Sequence, residues 1–251
     1  MAEQKADCSS LAVIYYAFGG RAEPLRNAAA LGGISFEDRF ITQEQQKKAK
    51  AEGKRRWSGP PEVVVIDKDG KDLVTIAQSN TCLRYVGKLA GIYPENPVQA
   101  ALADEVADSV EDVFGVLSAA TAGKDEEEKK SAVGELLKDD GSFTYWLGKF
   151  LCRQQEAEKR GVKSGLFVGE EITTAELKFS ASFGFMLTKI PPLKGIMEAK
   201  YKPLLKIIET VNGNEKIKAF EEQFKKNTAA FKEKPEVGTF KYAGTAKPGS
   251  L

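Results

Sequence analysis

The chain has 251 residues, 42% hydrophobic and 29% charged, with 37 Lys and Arg against 36 Asp and Glu for a formal net charge of +1. That length provides for one large or two modest domains, and the near-even charge argues against a general nucleic-acid binder. The absence of any histidine removes serine–histidine triads, cysteine–histidine dyads, HExxH zinc sites and histidine proton shuttles together. Chemistry must then come from Tyr, Cys, Ser, Lys, Arg or carboxylates, or from a nucleophile that arrives with the substrate. Cys8, Cys82 and Cys152 are few and widely spaced, which suits a reducing, cytoplasmic setting and offers neither a disulfide framework nor a zinc site. Residues 1–10 are polar, and no run is long enough to span a bilayer. No metal, membrane or nucleic-acid partner is expected.

In chain order, Leu11 to Tyr16 is a short buried-strand pattern, broken by Gly19-Gly20. Arg21 to Leu31 reads as a helix ended by Gly32-Gly33, Ile34 to Ile41 as a second strand, and the lysine-rich stretch to Arg56 as a polar helix or irregular segment. Pro60-Pro61 opens a β-branched strand, Val63 to Ile66, and Asp67 to Lys71 is a hairpin turn with Asp-Gly at its tip. Ser79 is placed to cap a third helix continued by Leu83, Val86 and Leu89. This βαβ–ββα order is the thioredoxin-like layout.

Past the proline-punctuated stretch at residues 91–97 everything reads helical. Val98 to Ala122 carries apolar residues near a 3.6 period, and the acidic stretch after Lys124 suits the first turn of another helix running on to Arg160. Thr173 and Glu176 form a capping box for a helix reaching about Lys189. Pro203 can open another, and Glu215 to Lys225 a last one. The expected organisation is α/β plus all-α: a flexible N-terminus (1–10), a thioredoxin-like domain (11–90), a linker (91–97), an all-helical domain (98–227) and an extended surface tail (228–251).

A proline-shaped backbone edge beside a helix N-terminus can hold a short peptide bearing a carboxylate. The edge pairs with the peptide backbone, and the helix-terminal N–H groups take the anion. Pro61 follows an X–Pro bond that pays little to be cis. Tyr15 ends the first strand six residues before Arg21, within Tyr15-Tyr16-Ala17-Phe18-Gly19-Gly20-Arg21. A lone strand-end tyrosine is usually core packing, and strand alternation points Tyr16, the rival hydroxyl, to the other face.

These stretches, with Gln78-Ser79-Asn80-Thr81 and Leu83-Arg84, resemble the cytosolic glutathione transferases of the alpha, pi and sigma classes from about Leu11 to Phe220. The resemblance implies the glutathione transferase fold, glutathione as co-substrate, a small electrophilic second substrate and a homodimer. It casts Tyr15 as the hydroxyl that holds the glutathione sulfur and Arg21 as a nearby positive charge. It places the γ-glutamyl carboxylate on Gln78 and Ser79, the glycine carboxylate on Lys50 and the cysteinyl backbone on Pro60 and Pro61. Asp112 would reach the γ-glutamyl amine bound in the other subunit, and Trp57 would anchor the dimer interface. A thiol with a pKa near ~8.5 is only a few per cent thiolate at neutral pH, and lowering it by two units takes roughly 2.7 kcal/mol. A hydroxyl donating to the anion supplies such a term. Pro60 departs from the pattern: it has no N–H, so one of two backbone hydrogen bonds to the peptide is absent, a loss of about 1 kcal/mol. Cys8 and Cys82 lack the cationic setting of a reactive thiolate, which disfavours a cysteine-type enzyme. Rival expectations are a sigma-type glutathione-dependent isomerase or peroxidase, and a non-catalytic binding or structural protein on the same fold.

Overall fold

The computed structural model describes residues 8–54, 57, 59–236 and 238–245. Residues 1–7 and 246–251, which fall in the expected flexible N-terminus and tail, lie outside the described residues. The chain divides into two compact units, residues 1–93 with 213–251, and residues 94–212.

The first unit is built on a five-stranded mixed sheet ordered β4-β3-β1-β2-β5, with β1 Cys8–Tyr15, β2 Phe36–Phe40, β3 Glu62–Asp67, β4 Asp72–Ala77 and β5 Thr239–Tyr242. β1 runs parallel to β2 and antiparallel to β3. Helices α1 (Glu23–Leu31), α2 (Gln43–Ala51) and α3 (Ser79–Leu89) follow β1, β2 and β4. Alternation along β1 explains its packing. Ala12, with Ile14 beside it, joins Val64 and Ile66 in one cluster, leaving Leu11, Val13 and Tyr15 to the opposite face. The Asp67–Lys71 hairpin closes as its composition predicts. Asp67 Oδ1 accepts from the amides of Asp69 (2.9 Å) and Lys71 (2.8 Å), and Gly70 takes the left-handed φ of 80° that the turn demands.

The second unit contains α4 (Pro97–Thr121), α5 (Glu126–Leu136), α6 (Ser142–Lys159), α7 (Thr174–Lys189), α8 (Pro191–Lys200) and α9 (Lys202–Asn212). Its core joins Val106, Val110 and Val113 to Phe143, Phe150, Phe167, Phe179 and Phe183. The capping box before α7 forms, and it does more than cap. Glu176, fully buried, accepts from the Thr173 amide (2.8 Å), the Thr173 hydroxyl (2.6 Å) and the Phe167 amide (2.9 Å), so one carboxylate ties the preceding loop to the helix start. Helix α8, between the helix expected to end at about Lys189 and the one expected to open at Pro203, has no counterpart among the expected elements and begins at Pro191-Pro192. Both prolines fall in the first turn, where no N–H is needed.

The ends of the chain differ most from expectation. Residues 8–10 are strand rather than flexible terminus. The last helix, α10, runs over Glu215–Glu233 and belongs to the sheet-containing unit, so the helical unit stops at residue 212 rather than 227. Nor are residues 239–242 a surface tail. β5 pairs antiparallel with β2, setting Phe36 opposite Tyr242 and Asp38 opposite Phe240. The outer edge of β2 offers unpaired backbone groups. Thr239-Phe240-Lys241-Tyr242 answers with a period of two, its aromatics turned inward. A four-residue strand between Gly238 and Gly244 is too short to announce itself.

Candidate functional site

The site is assembled from four stretches that are far apart in sequence. Helix α2 begins with a capping box between Thr42 and Gln45, and the spacing of Gln46, Lys47 and Lys50 puts them on one side of it. The segment before β3 contributes Gly59, Pro60 and Pro61, and the Pro60–Pro61 peptide is cis. Gln78 and Ser79 stand at the start of α3, while Tyr16 and Arg21 come from the loop after β1. Together these ten residues line a cavity of about 390 Å³. It has three cationic side chains, Arg21, Lys47 and Lys50, and no carboxylate among the described lining residues. A polar, cationic pocket beside a helix N-terminus is suited to a small anion with peptide-like groups.

Helix α3 starts differently from the sequence reading. Gln78, not Ser79, is the N-cap; it has φ 73° and ψ 119° and no side-chain capping bond, while Ser79 is the first helical residue. A non-glycine residue in that region costs on the order of 1–3 kcal/mol, and such costs collect where a backbone is shaped for a ligand.

Tyr15 is 6% exposed and is not among the residues that line the cavity. Its Oη accepts the Arg21 backbone N–H at 3.2 Å. The accepting lone pair is thereby used and the hydroxyl proton remains for another partner. Burial is the largest influence on this phenol and raises its pKa, with the Arg21 N–H bond and the Arg21 and Arg26 charges pulling the other way. At neutral pH it is therefore a proton-bearing donor. Tyr16 lies just past the strand, so alternation no longer governs it. It lines the cavity, with its ring stacked on Phe18 at 5.7 Å and an interplanar angle of 3°.

Of the predicted site residues, Arg21, Lys50, Pro60, Pro61, Gln78 and Ser79 converge on one cavity. Asp112 lies in the other unit, exposed on α4, and Trp57 is 55% exposed. The sequence turned Tyr16 to the other face, and Gln46, Lys47 and Gly59 were not among the expected lining residues. The i, i+4 relation between Gln46 and Lys50 was the available signal. Cys82 is packed away from solvent, and burial pushes its thiol up to about 12, which leaves it inert.

No protein-family model matches the chain. Over 101 residues it is 33% identical to human glutathione S-transferase P, covering 40% of this chain and 45% of that protein. Over 138 residues it is 31% identical to hematopoietic prostaglandin D synthase of Gallus gallus, covering 51% and 64%. The chain thus matches less than two thirds of either relative. Among solved structures, prostaglandin synthase D of Nilaparvata lugens superposes with a TM-score of 0.69 at 25% identity, over 85% of this chain and 97% of that one. The chain carries the glutathione transferase fold and is similar in sequence to part of these proteins. A sigma-class glutathione transferase of Fasciola hepatica supports the fold alone, with a TM-score of 0.71 at 20% identity over 86% of this chain and 97% of the other. In glutathione transferase terms, the cavity lies in the thioredoxin-like unit, whose sheet β5 extends at the β2 edge.

Proposed function

We propose that this protein is a cytoplasmic, tyrosine-type glutathione transferase that joins the glutathione sulfur to a small electrophile, and that it works as a homodimer. The carrying observation is the convergence of Arg21, Lys50, Pro60, Pro61, Gln78 and Ser79 on one cationic cavity, next to a buried phenol that already accepts one hydrogen bond. In this reading the thiol loses its proton to solvent. Tyr15 donates its hydroxyl hydrogen bond to the resulting thiolate, and Arg21 adds positive potential. The thiolate then attacks an electrophilic carbon, a C–S bond forms, and the leaving group departs with its electron pair. The protein contributes thiolate stabilisation and orientation, so neither histidine nor metal is required.

Retention on immobilised glutathione, together with conjugation of a chloronitrobenzene, tests the reading. Tyr15→Phe should lower kcat/KM at pH 7 by roughly 25-fold, as a thiol pKa rising from about 6.5 to about 8.5 takes the thiolate from the majority form to a few per cent, with glutathione binding retained. If Tyr16→Phe produces that loss instead, the cavity-lining phenol is the donor. The chicken and planthopper prostaglandin D synthases among the similar proteins favour one second reading, glutathione-dependent isomerisation. Turnover of a prostaglandin endoperoxide without conjugation of the chloronitrobenzene would select it.

A further inference from the structure

Arg26, on α1, is 0% exposed and does not line the glutathione cavity. Its guanidinium donates to Phe18 O (2.9 Å), Gly19 O (3.4 Å) and Tyr16 O (3.4 Å), and its Nε to Asp38 Oδ1 (2.7 Å). Three of its acceptors are therefore carbonyls of the loop that carries Tyr15 into Arg21. That loop ends at Gly20 (φ 51°), where a Cβ would lie 2.8 Å from Tyr15 Oη. A guanidinium suits this task because its rigid fork of five donors can bridge several fixed acceptors, which an ammonium cannot.

The other side of Arg26 is built from the C-terminal end of the chain. Its guanidinium lies 4.6 Å from the centre of the Phe224 ring on α10 and 5.6 Å from that of Phe40 on β2. Asp38 is fully buried on β2, opposite Phe240 of β5. Tyr242 of β5 and Asn227 of α10 reach the same spot. Asp38 Oδ2, Asn227 Nδ2 and Tyr242 Oη are all buried and interact, yet none reaches full hydrogen-bond geometry. The buried acid that orients Arg26 is thus walled in by the two elements that sequence reading assigned to a terminal helix and a surface tail.

We propose that Arg26 is a positioning residue for the loop between β1 and α1, and that α10 and β5 set its position through Asp38, Phe224 and Tyr242. The C-terminal segment thereby completes the sulfur-activating site without touching it. The catalytic consequence rests on the glutathione transferase reading above; the structural one does not.

Amide hydrogen exchange on the full-length, ligand-free protein tests the structural part. Arg26→Lys should speed exchange of residues 16–21 by tenfold or more while β3 and α3 keep their protection. Tyr242→Phe, which removes one oxygen and leaves the ring stacked on Phe36, should act in the same direction to a smaller extent. In conjugation assays both variants should raise the apparent pKa of kcat/KM, by about one unit for Arg26→Lys, which from a thiol pKa of about 6.5 means roughly threefold less thiolate at pH 7. A purely structural role would lower activity through the folded fraction and leave that pKa in place. Unchanged loop exchange in both variants, or activity lost at an unmoved pKa, overturns the proposal. Should Arg26→Lys fail to fold, Tyr242→Phe decides alone. If the wild-type protein neither binds nor uses glutathione, the functional reading fails, and faster exchange confined to residues 16–21 still sustains the positioning role.

Discussion

At Pro60 the chemistry is decided by a missing hydrogen. The residue lines the cavity but can offer a peptide only its carbonyl. Pro60→Ala restores a donor and should tighten glutathione binding about fivefold, roughly 1 kcal/mol, by equilibrium titration. An unaltered affinity would mean that the edge does not pair with the peptide. Glu23 is the other residue with a measurable signature. Burial, and then the charge of Glu221, push its carboxyl up to about 7 from 4.5. Because the folded value lies above the unfolded one, its stabilising contribution is complete below pH 4.5 and is lost as pH rises through 7. Glu23→Gln should therefore raise Tm at pH 8, by up to about 3 kcal/mol of stability, and change it little at pH 4. Equal shifts at both pH values would show that Glu23 is not strained by ionisation.

Secondary elements were legible where their signals are local. The Asp67–Lys71 turn and the Thr173–Glu176 cap rest on side chains bonding backbone two to four residues away, so composition alone announces them. Glu176→Ala removes the acceptor of three hydrogen bonds, two of them from backbone amides, and should cost about 3 kcal/mol in a denaturant melt. A loss under about 1 kcal/mol would show that water replaces the carboxylate there. β5 had no such local signature. A four-residue strand exists because β2 presents an open edge to it, and that edge is made elsewhere in the chain. Tyr16 shows the same limit from the other side. The strand ends one residue before it, so a period of two pointed it away from a cavity that it in fact lines.

For the whole molecule, the dimer is the prediction that most needs an experiment. Trp57 is 55% exposed, and large exposed aromatics are the usual anchors of protein interfaces. Sedimentation should show a dimer that Trp57→Ala shifts toward monomer, with glutathione affinity falling as the protein dissociates if Asp112 acts across the interface. A monomeric wild type would overturn both roles, and a Trp57→Ala dimer of unchanged stability would remove Trp57 from the interface.

The order βαβ–ββα, the helical second half and the set Arg21, Lys50, Pro60, Pro61, Gln78 and Ser79 followed from the sequence. Short-range rules govern them: strand and helix periods, proline geometry, helix starts, and a motif whose members keep their spacing. Tertiary structure alone decided that α10 returns to the sheet unit, that β5 extends that sheet and that a fully buried Arg26 joins the loop after Tyr15 to the far end of the chain. Those contacts pair residues that are strangers in sequence. Their energies come from burial and from edges left open by other elements, which no local window of residues contains.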